Sequence, residues 1–103
     1  MKIPKEIKVG GVKHTIEQPK GLTVDGEGCR GAYFEDRALI YVAKGTDDPE
    51  NWQKFTEKER SETFWHEIVH AILHDMKHKQ KNDEQFVIGF SQRLNDAIRS
   101  AKF

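Results

Sequence analysis

Apolar residues in the second half of the chain recur at helical spacing in two blocks. Thr56-Glu57-Lys58-Glu59 precedes the first block and forms a capping box, with Thr56 as the N-cap and Glu59 able to reach back to the Thr56 amide. The buried stripe predicted for this helix consists of Phe64, Trp65, Ile68, Val69, Ile72, Leu73 and Met76. After a polar turn at 77–82, Asn82 or Asp83 is the expected N-cap of a second helix. The apolar side of that helix carries Phe86, Val87, Phe90, Leu94, Ala97, Ile98 and Ala101.

The first half of the chain alternates apolar and polar residues, which predicts short antiparallel strands. Residues 7–9 and 12–16 flank Gly10-Gly11, a pair that tolerates the positive φ of a tight hairpin turn. In that register His14 faces Ile7 on the apolar side, as a structural histidine. Residues 22–24 predict another short strand, which the turn-rich segment 25–28 follows.

A second hairpin is expected from Cys29–Phe34 and Ala38–Ala43, which are joined across residues 35–37. Residues 44–52 contain Gly, Asp and Pro and predict a connecting loop. We therefore predict an α+β fold over residues 1–103. A small antiparallel sheet of about four or five short strands packs on two C-terminal helices in a single domain.

Composition limits the kind of partner that such a protein has. The 103 residues carry no formal net charge, although a third of them are charged, so no strong electrostatic attraction to nucleic acid or to a membrane is implied. No apolar run has the length of a transmembrane helix, and the basic start of the chain lacks a signal-peptide core. The single cysteine, Cys29, excludes an internal disulfide and fits a reducing compartment. We predict a cytoplasmic monomer.

The first predicted helix contains His66-Glu67-Ile68-Val69-His70, an H-E-x-x-H motif. Histidines four residues apart lie one turn apart on the same face of a helix, so both imidazoles can bind one metal ion. Glu67 lies beside them and can accept a proton from a water on that metal. This arrangement is typical of a zinc-dependent peptidase.

A catalytic zinc site normally has three protein ligands and an open position for water. Glu84 is the predicted third ligand, because it lies one turn before Val87 and can point toward the first helix if the two helices pack antiparallel. Asp83 is the alternative, although its position suits capping better. His74 and His78 continue the spacing of four and remain further alternatives. Only the pair His66 and His70 encloses a glutamate directly after its first histidine.

The order of a small sheet, a motif-bearing helix and a second helix bearing an acid resembles the minimal zincins. The chain is similar to the ImmA/IrrE-like group and to small phage- or prophage-encoded metallopeptidases. The resembling segments are 31–34, 38–42 and 64–73, together with Glu84 and the Phe86-Val87 pair behind it. The resemblance implies hydrolysis of peptide bonds in a peptide or protein substrate, with zinc held by His66, His70 and Glu84 and with Glu67 as the general base.

Two other functions stay open at the level of sequence. A zinc-binding regulatory or interaction protein could keep the zincin fold with little or no proteolytic activity, and a metal-free binding domain could carry the motif by chance. For the peptidase, the oxyanion candidates are Tyr33, Tyr41, Arg30 and His78. If the apolar strand 38–43 lies at a sheet edge, its free backbone groups could bind an extended substrate. The alternative is that both sides of this strand are paired within the sheet.

Overall fold

A four-stranded sheet and two helices make up most of the part of the chain that the computed structural model describes, residues 2–103. The strands are β1 (Glu6–Val9), β2 (Val12–Glu17), β3 (Thr23–Val24), β4 (Glu27–Gly28), β5 (Gly31–Phe34) and β6 (Leu39–Val42); the helices are α1 (Glu57–Asp75) and α2 (Glu84–Ser100). The strands β3 and β4 form a separate two-stranded sheet. The α+β fold with two C-terminal helices is confirmed.

Both predicted hairpins are present. Gly10 and Gly11 have positive φ angles of 57° and 80°, as the tight turn between β1 and β2 requires. Ile7 pairs with His14 in this hairpin, and His14 is buried, as its position on the apolar face predicts. In the second hairpin β5 pairs antiparallel with β6.

The large sheet has the strand order β1-β2-β6-β5, and the pairing of β2 with β6 is parallel. The prediction of a fully antiparallel sheet was therefore wrong. Parallel neighbours need a long connection between them, and the segment from Pro19 to Ala38, which carries β3, β4 and β5, supplies it. The alternation of apolar and polar residues along a strand indicates which face of the strand is buried. It does not indicate whether the neighbouring strand runs parallel or antiparallel.

Of the two placements considered for residues 38–43, the edge strand is wrong and the strand paired on both sides is confirmed. β6 is bonded to β2 on one side and to β5 on the other. Ile40 and Val42 have no exposed surface, and Leu39 and Tyr41 are half-buried. Apolar residues on both faces are typical of a central strand. Within residues 2–103, β5 is the edge strand on this side of the sheet.

Helix α1 packs its apolar face on the sheet. The Thr56 hydroxyl accepts a hydrogen bond from the Glu59 amide at 3.1 Å, and the Glu59 carboxylate accepts one from the Thr56 amide at 2.9 Å, which confirms the capping box. The main core joins the helix to β2, to β6 and to the segment before β1, and it consists of Ile3, Ile16, Ile40, Val42, Phe64 and Ile68. Ile72 and Met76, predicted as buried, are 38% and 62% exposed. Ile72 lies in the last turns of α1, and Met76 is the C-cap that follows its last residue, Asp75.

Helix α2 packs antiparallel to α1. Glu57 contacts Arg99, Ser61 donates a hydrogen bond to Asn95 at 2.6 Å, and His70 contacts Glu84. The helix begins after Asp83, whose carboxylate accepts a hydrogen bond from the Phe86 amide at 3.1 Å. The start of α2 therefore lies beside the second half of α1. Neither helix is long and apolar enough, within residues 2–103, to cross a membrane.

Candidate metal centre

His66, Glu67 and His70 lie together on α1. One ligand atom of each lies within 4.8 Å of the others, and no other such group of three occurs within residues 2–103. The two imidazole rings are 4.9 Å apart between centroids, as expected for side chains one turn apart. Their side chains are 22% and 16% exposed, so both stand at the edge of the core and reach a cavity.

Glu84 brings a second carboxylate to the two histidines from the first residue of α2. One of its oxygens lies 2.8 Å from His70 Nε2, and the other lies 3.2 Å from His66 Nε2. The antiparallel packing and the cap at Asp83 put Glu84 opposite this turn of α1. Two imidazole nitrogens and a carboxylate are a set of donors that could hold a zinc ion.

The orientation of His70 is fixed by a backbone group. Its Nδ1 donates a hydrogen bond to the Lys81 carbonyl at 2.9 Å, so Nε2 is the nitrogen that faces Glu84. Metal-ligating histidines commonly have such a partner on the nitrogen that does not bind the metal. Sequence reasoning missed Lys81, because a main-chain carbonyl has no signature in the side-chain pattern.

The electrostatics of His66 also suit a metal ligand. Burial lowers the pKa of this imidazole, and the neighbouring His70 lowers it further, against the opposing effect of Glu84. A metal ion binds the neutral imidazole, so a lowered pKa keeps His66 in the form that can act as a ligand at neutral pH. The donor types, their spacing and their protonation thus fit a zinc ion.

Glu67 points away from solvent, with 6% of its surface exposed. Burial, reinforced by the negative charge of Glu84, raises the pKa of its carboxyl to about 8. Metal-free protein therefore holds Glu67 protonated at neutral pH. A buried carboxyl beside two imidazoles is the type of group that enzymes use for proton transfer.

The metal-free protein should lose stability as the pH rises. The folded protein keeps the Glu67 proton up to about pH 8, whereas the unfolded chain releases it near the ordinary value of 4.5. Unfolding between these values releases a proton, so each pH unit lowers the free energy of unfolding by up to about 1.4 kcal/mol. Glu67→Gln removes this contribution, so its stability advantage over wild type should grow from about pH 5 to about pH 8 and then level off.

Urea unfolding in the presence of a chelator, repeated across this pH range, measures the effect. The exposed loop residue Glu50 provides the control substitution Glu50→Gln, which should follow the wild type. A stability difference between Glu67→Gln and wild type that stays constant with pH would contradict the assignment.

Comparison of the chain with protein-family models gives no match, and comparison with curated proteins and with solved structures gives none either. No family is assigned.

The alternative ligands have other contacts. Asp83 caps α2. His78 accepts a hydrogen bond from the Gln80 amide at 3.1 Å and stacks on Phe86, so it belongs to the turn between the helices. His74 Nδ1 lies 2.9 Å from a Glu35 oxygen, without the alignment of a hydrogen bond. His74 borders the same cavity as His66 and His70, outside the group of three close ligand atoms.

A cavity of about 470 Å³, called the central cavity below, opens above the site. It is lined by Gly31, Tyr33, Glu35, His66, Glu67, His70, His74, Lys81, Asn82 and Glu84. Of the four oxyanion candidates, Tyr33 alone belongs to this lining. Tyr41 borders a different cavity beside β2, and Arg30 borders a neighbouring one. Cys29 is half-buried, and it lies outside both the cavity lining and the ligand group.

Gly31 is the point where β5 comes closest to α1. A Cβ atom at this position would lie 2.4 Å from Thr63 Cγ2, 2.9 Å from the Tyr41 carbonyl oxygen and 3.0 Å from Glu67 Oε2. Contacts this short force a shift of the strand, of the helix or of the Glu67 carboxyl. Only glycine lets the edge strand stand directly beside the site.

Gly31→Ala should destabilise the protein by about 1–3 kcal/mol, the usual cost of overpacking. Gly89→Ala is the matched control, because it lies inside α2 and its new Cβ would meet only Arg93 Nη1 at 3.4 Å. That change should stabilise the protein by about 0.5–1 kcal/mol through helix propensity. Thermal unfolding of both variants measures the difference, and two changes of the same sign would contradict this account of Gly31.

Proposed function

We propose that the protein is a zinc-dependent peptidase of zincin type. The observation that carries the proposal is the meeting of Glu84 with both His66 and His70, at 3.2 and 2.8 Å, around the buried carboxyl of Glu67. Nε2 of each histidine and the Glu84 carboxylate would hold the zinc. The hydrogen bond from His70 Nδ1 to the Lys81 carbonyl supports this role, because it presents the other nitrogen as a donor.

Glu67 is the proton carrier in the proposed reaction. When bound, zinc supplies a charge that acidifies water, polarises the scissile carbonyl and favours the ionised form of Glu67. The Glu67 carboxylate accepts a proton from the attacking water and passes it to the leaving amine. It can do both because its side chain is buried beside the histidines, where bulk water does not compete for the proton.

Tyr33 is the proposed donor to the oxyanion. Its side chain lines the central cavity, and burial raises the pKa of its phenol, with the charges of Glu35 and Asp75 adding to the effect. The hydroxyl therefore keeps its proton at neutral pH. In the metal-free protein it donates that proton to His14 Nε2 over a long 3.4 Å, and in the proposed reaction it would turn to donate to the developing negative charge instead.

The free edge of β5 is the proposed substrate platform. This strand replaces residues 38–43 in that role, because β6 is paired on both sides. An extended peptide added along β5 would pass over Gly31, where the missing side chain brings the backbone close to Glu67. Because such binding uses mainly backbone groups, the protein should accept many substrate sequences. Selectivity is expected only at substrate positions whose side chain enters a cavity.

The test combines metal analysis with cleavage. Protein purified without added zinc should contain about one zinc per chain by mass spectrometry of the metal. It should cleave members of a mixed peptide library, lose this activity in chelator and regain it with zinc. Zinc retained without cleavage would refute the peptidase and favour a zinc-binding regulatory protein. Absence of zinc binding would refute both.

A further inference from the structure

A second cavity of about 520 Å³ adjoins the central cavity at the end of β5 and is called the His14 cavity below. The two cavities share Tyr33, Glu35, His74 and Lys81. On the opposite side a third cavity, the Arg30 cavity, shares Gly31, His66 and Glu67 with the central one. The candidate metal centre thus lies in the middle of a cleft that follows the free edge of β5.

The floor of the His14 cavity is apolar and aromatic. Val12, Ala38 and Ala71 supply aliphatic surface. The Tyr33 ring lies between the imidazoles of His14 and His74, with centroid distances of 5.8 and 6.1 Å. These rings line the wall that a side chain would pass on entering from the central cavity.

The buried side chain of His14 fixes the position of Tyr33 in this wall. His14 is 4% exposed, its Nδ1 donates a hydrogen bond to the Val12 carbonyl at 3.0 Å, and its Nε2 accepts one from the Tyr33 hydroxyl at 3.4 Å. The aromatic wall is therefore built on a buried hydrogen-bonded group and exists before any ligand arrives.

Two carboxylates border the same cavity. Asp75 has no hydrogen bond or ion pair within residues 2–103, and its carboxylate stands beside Gly10 at the end of α1. Glu35 lies 2.9 Å from His74 Nδ1 and 3.9 Å from Lys81 Nζ. The separation from Lys81 is at the outer limit of an ion pair, so a better-placed cation can displace that lysine.

We propose that the His14 cavity is a substrate side-chain subsite that selects arginine or lysine. These side chains combine an apolar stem with a cationic head, which matches an aliphatic floor, an aromatic wall and two carboxylates. Arginine fits best, since its planar head can donate two hydrogen bonds to one carboxylate while its stem lies against the aromatic wall. Lys77 and Lys81 also border the cavity and would repel a second cation. Both are flexible side chains whose heads can turn to solvent.

The assignment rests on the proposed peptidase function, and a binding assay tests the two separately. The probes are alanine-based peptides with one arginine moved through successive positions. They are titrated against zinc-loaded Glu67→Gln protein, which should bind substrate without cutting it. Arginine at one position should strengthen binding about tenfold over norleucine and more over glutamate.

Variants locate the effect in the His14 cavity. Glu35→Gln combined with Asp75→Asn should abolish the arginine preference, whereas Lys77→Gln should increase it. Glu62→Gln is the matched control, because Glu62 borders the Arg30 cavity and its loss should leave the preference intact. Peptides that bind without any arginine preference, or a preference that survives the double substitution, would overturn the proposal and leave the peptidase untouched.

A protein without zinc or cleavage would refute the peptidase function, and the cavity can then be tested alone. N-acetylarginine amide is added to the metal-free protein, and the side-chain resonances of His14, Tyr33 and His74 are followed by NMR. Shifts of these resonances that the norleucine analogue does not cause would support the cation site. Their absence would overturn it.

Discussion

Glu67→Gln should keep zinc and lose peptide hydrolysis. The amide preserves the shape of the side chain, and the proposed ligand atoms belong to His66, His70 and Glu84, so zinc content should stay at the wild-type level. The amide cannot accept a proton from water, and general base catalysis typically contributes about 10²–10⁴-fold to the rate. Turnover should fall by at least that factor. Metal analysis and a cleavage assay on the same preparation measure both properties.

The control for this substitution is Glu50→Gln, the same chemical change in an exposed loop. It should leave zinc content and turnover unaltered. Undiminished turnover in Glu67→Gln would remove Glu67 from the mechanism. Loss of zinc from the same variant would instead indicate that Glu67, which belongs to the close ligand group, binds the metal directly.

Glu84→Gln should weaken zinc binding far more than Asp83→Asn. The first change removes the charged oxygens that face both histidines, while the second replaces one good N-cap with another. Removing a group that only hydrogen-bonds to a metal ligand typically weakens metal affinity about 10–100-fold. Removing a ligand itself should therefore weaken zinc affinity by at least about 100-fold. Asp83→Asn should stay within a few-fold of wild type.

Competition with a chromophoric chelator measures the two affinities. Thermal unfolding with and without zinc provides an independent reading, because a ligand that binds only the folded state raises its melting temperature. Equal affinities in the two variants would reject Glu84 as the third ligand and direct attention to His74, the remaining histidine of the central cavity.

The features that could be predicted from sequence are those set by neighbouring residues. The capping box at Thr56, the Gly10-Gly11 turn and the cap at Asp83 each depend on contacts within a few positions. The meeting of His66 with His70 follows from one turn of helix. Glu84 could be predicted as the third ligand because the first turn of α2 follows α1 after a short turn. Antiparallel packing of the two helices is then enough to bring Glu84 close to His66 and His70.

The features that could not be predicted depend on distant parts of the chain. The residues of segment 38–43 do not indicate that β2 pairs with this segment in parallel. That pairing makes β6 a central strand and leaves β5 at the edge of the sheet. The Lys81 carbonyl is invisible in a side-chain pattern. Ile72 and Met76 have helical spacing identical to that of buried neighbours, and only the limited extent of the sheet and of α2 leaves them exposed.

The parallel pairing of β2 with β6 has a kinetic consequence for folding. The hairpins β1–β2 and β5–β6 join residues that are close in sequence, whereas Thr15 meets Leu39 only after a long segment has closed into a loop. Closing this loop lowers the conformational entropy of the chain before the β2–β6 hydrogen bonds can stabilise it. The pairing of β2 with β6 should therefore form late in folding. The two hairpins can therefore form first, and the pairing of β2 with β6 joins them into the four-stranded sheet afterwards.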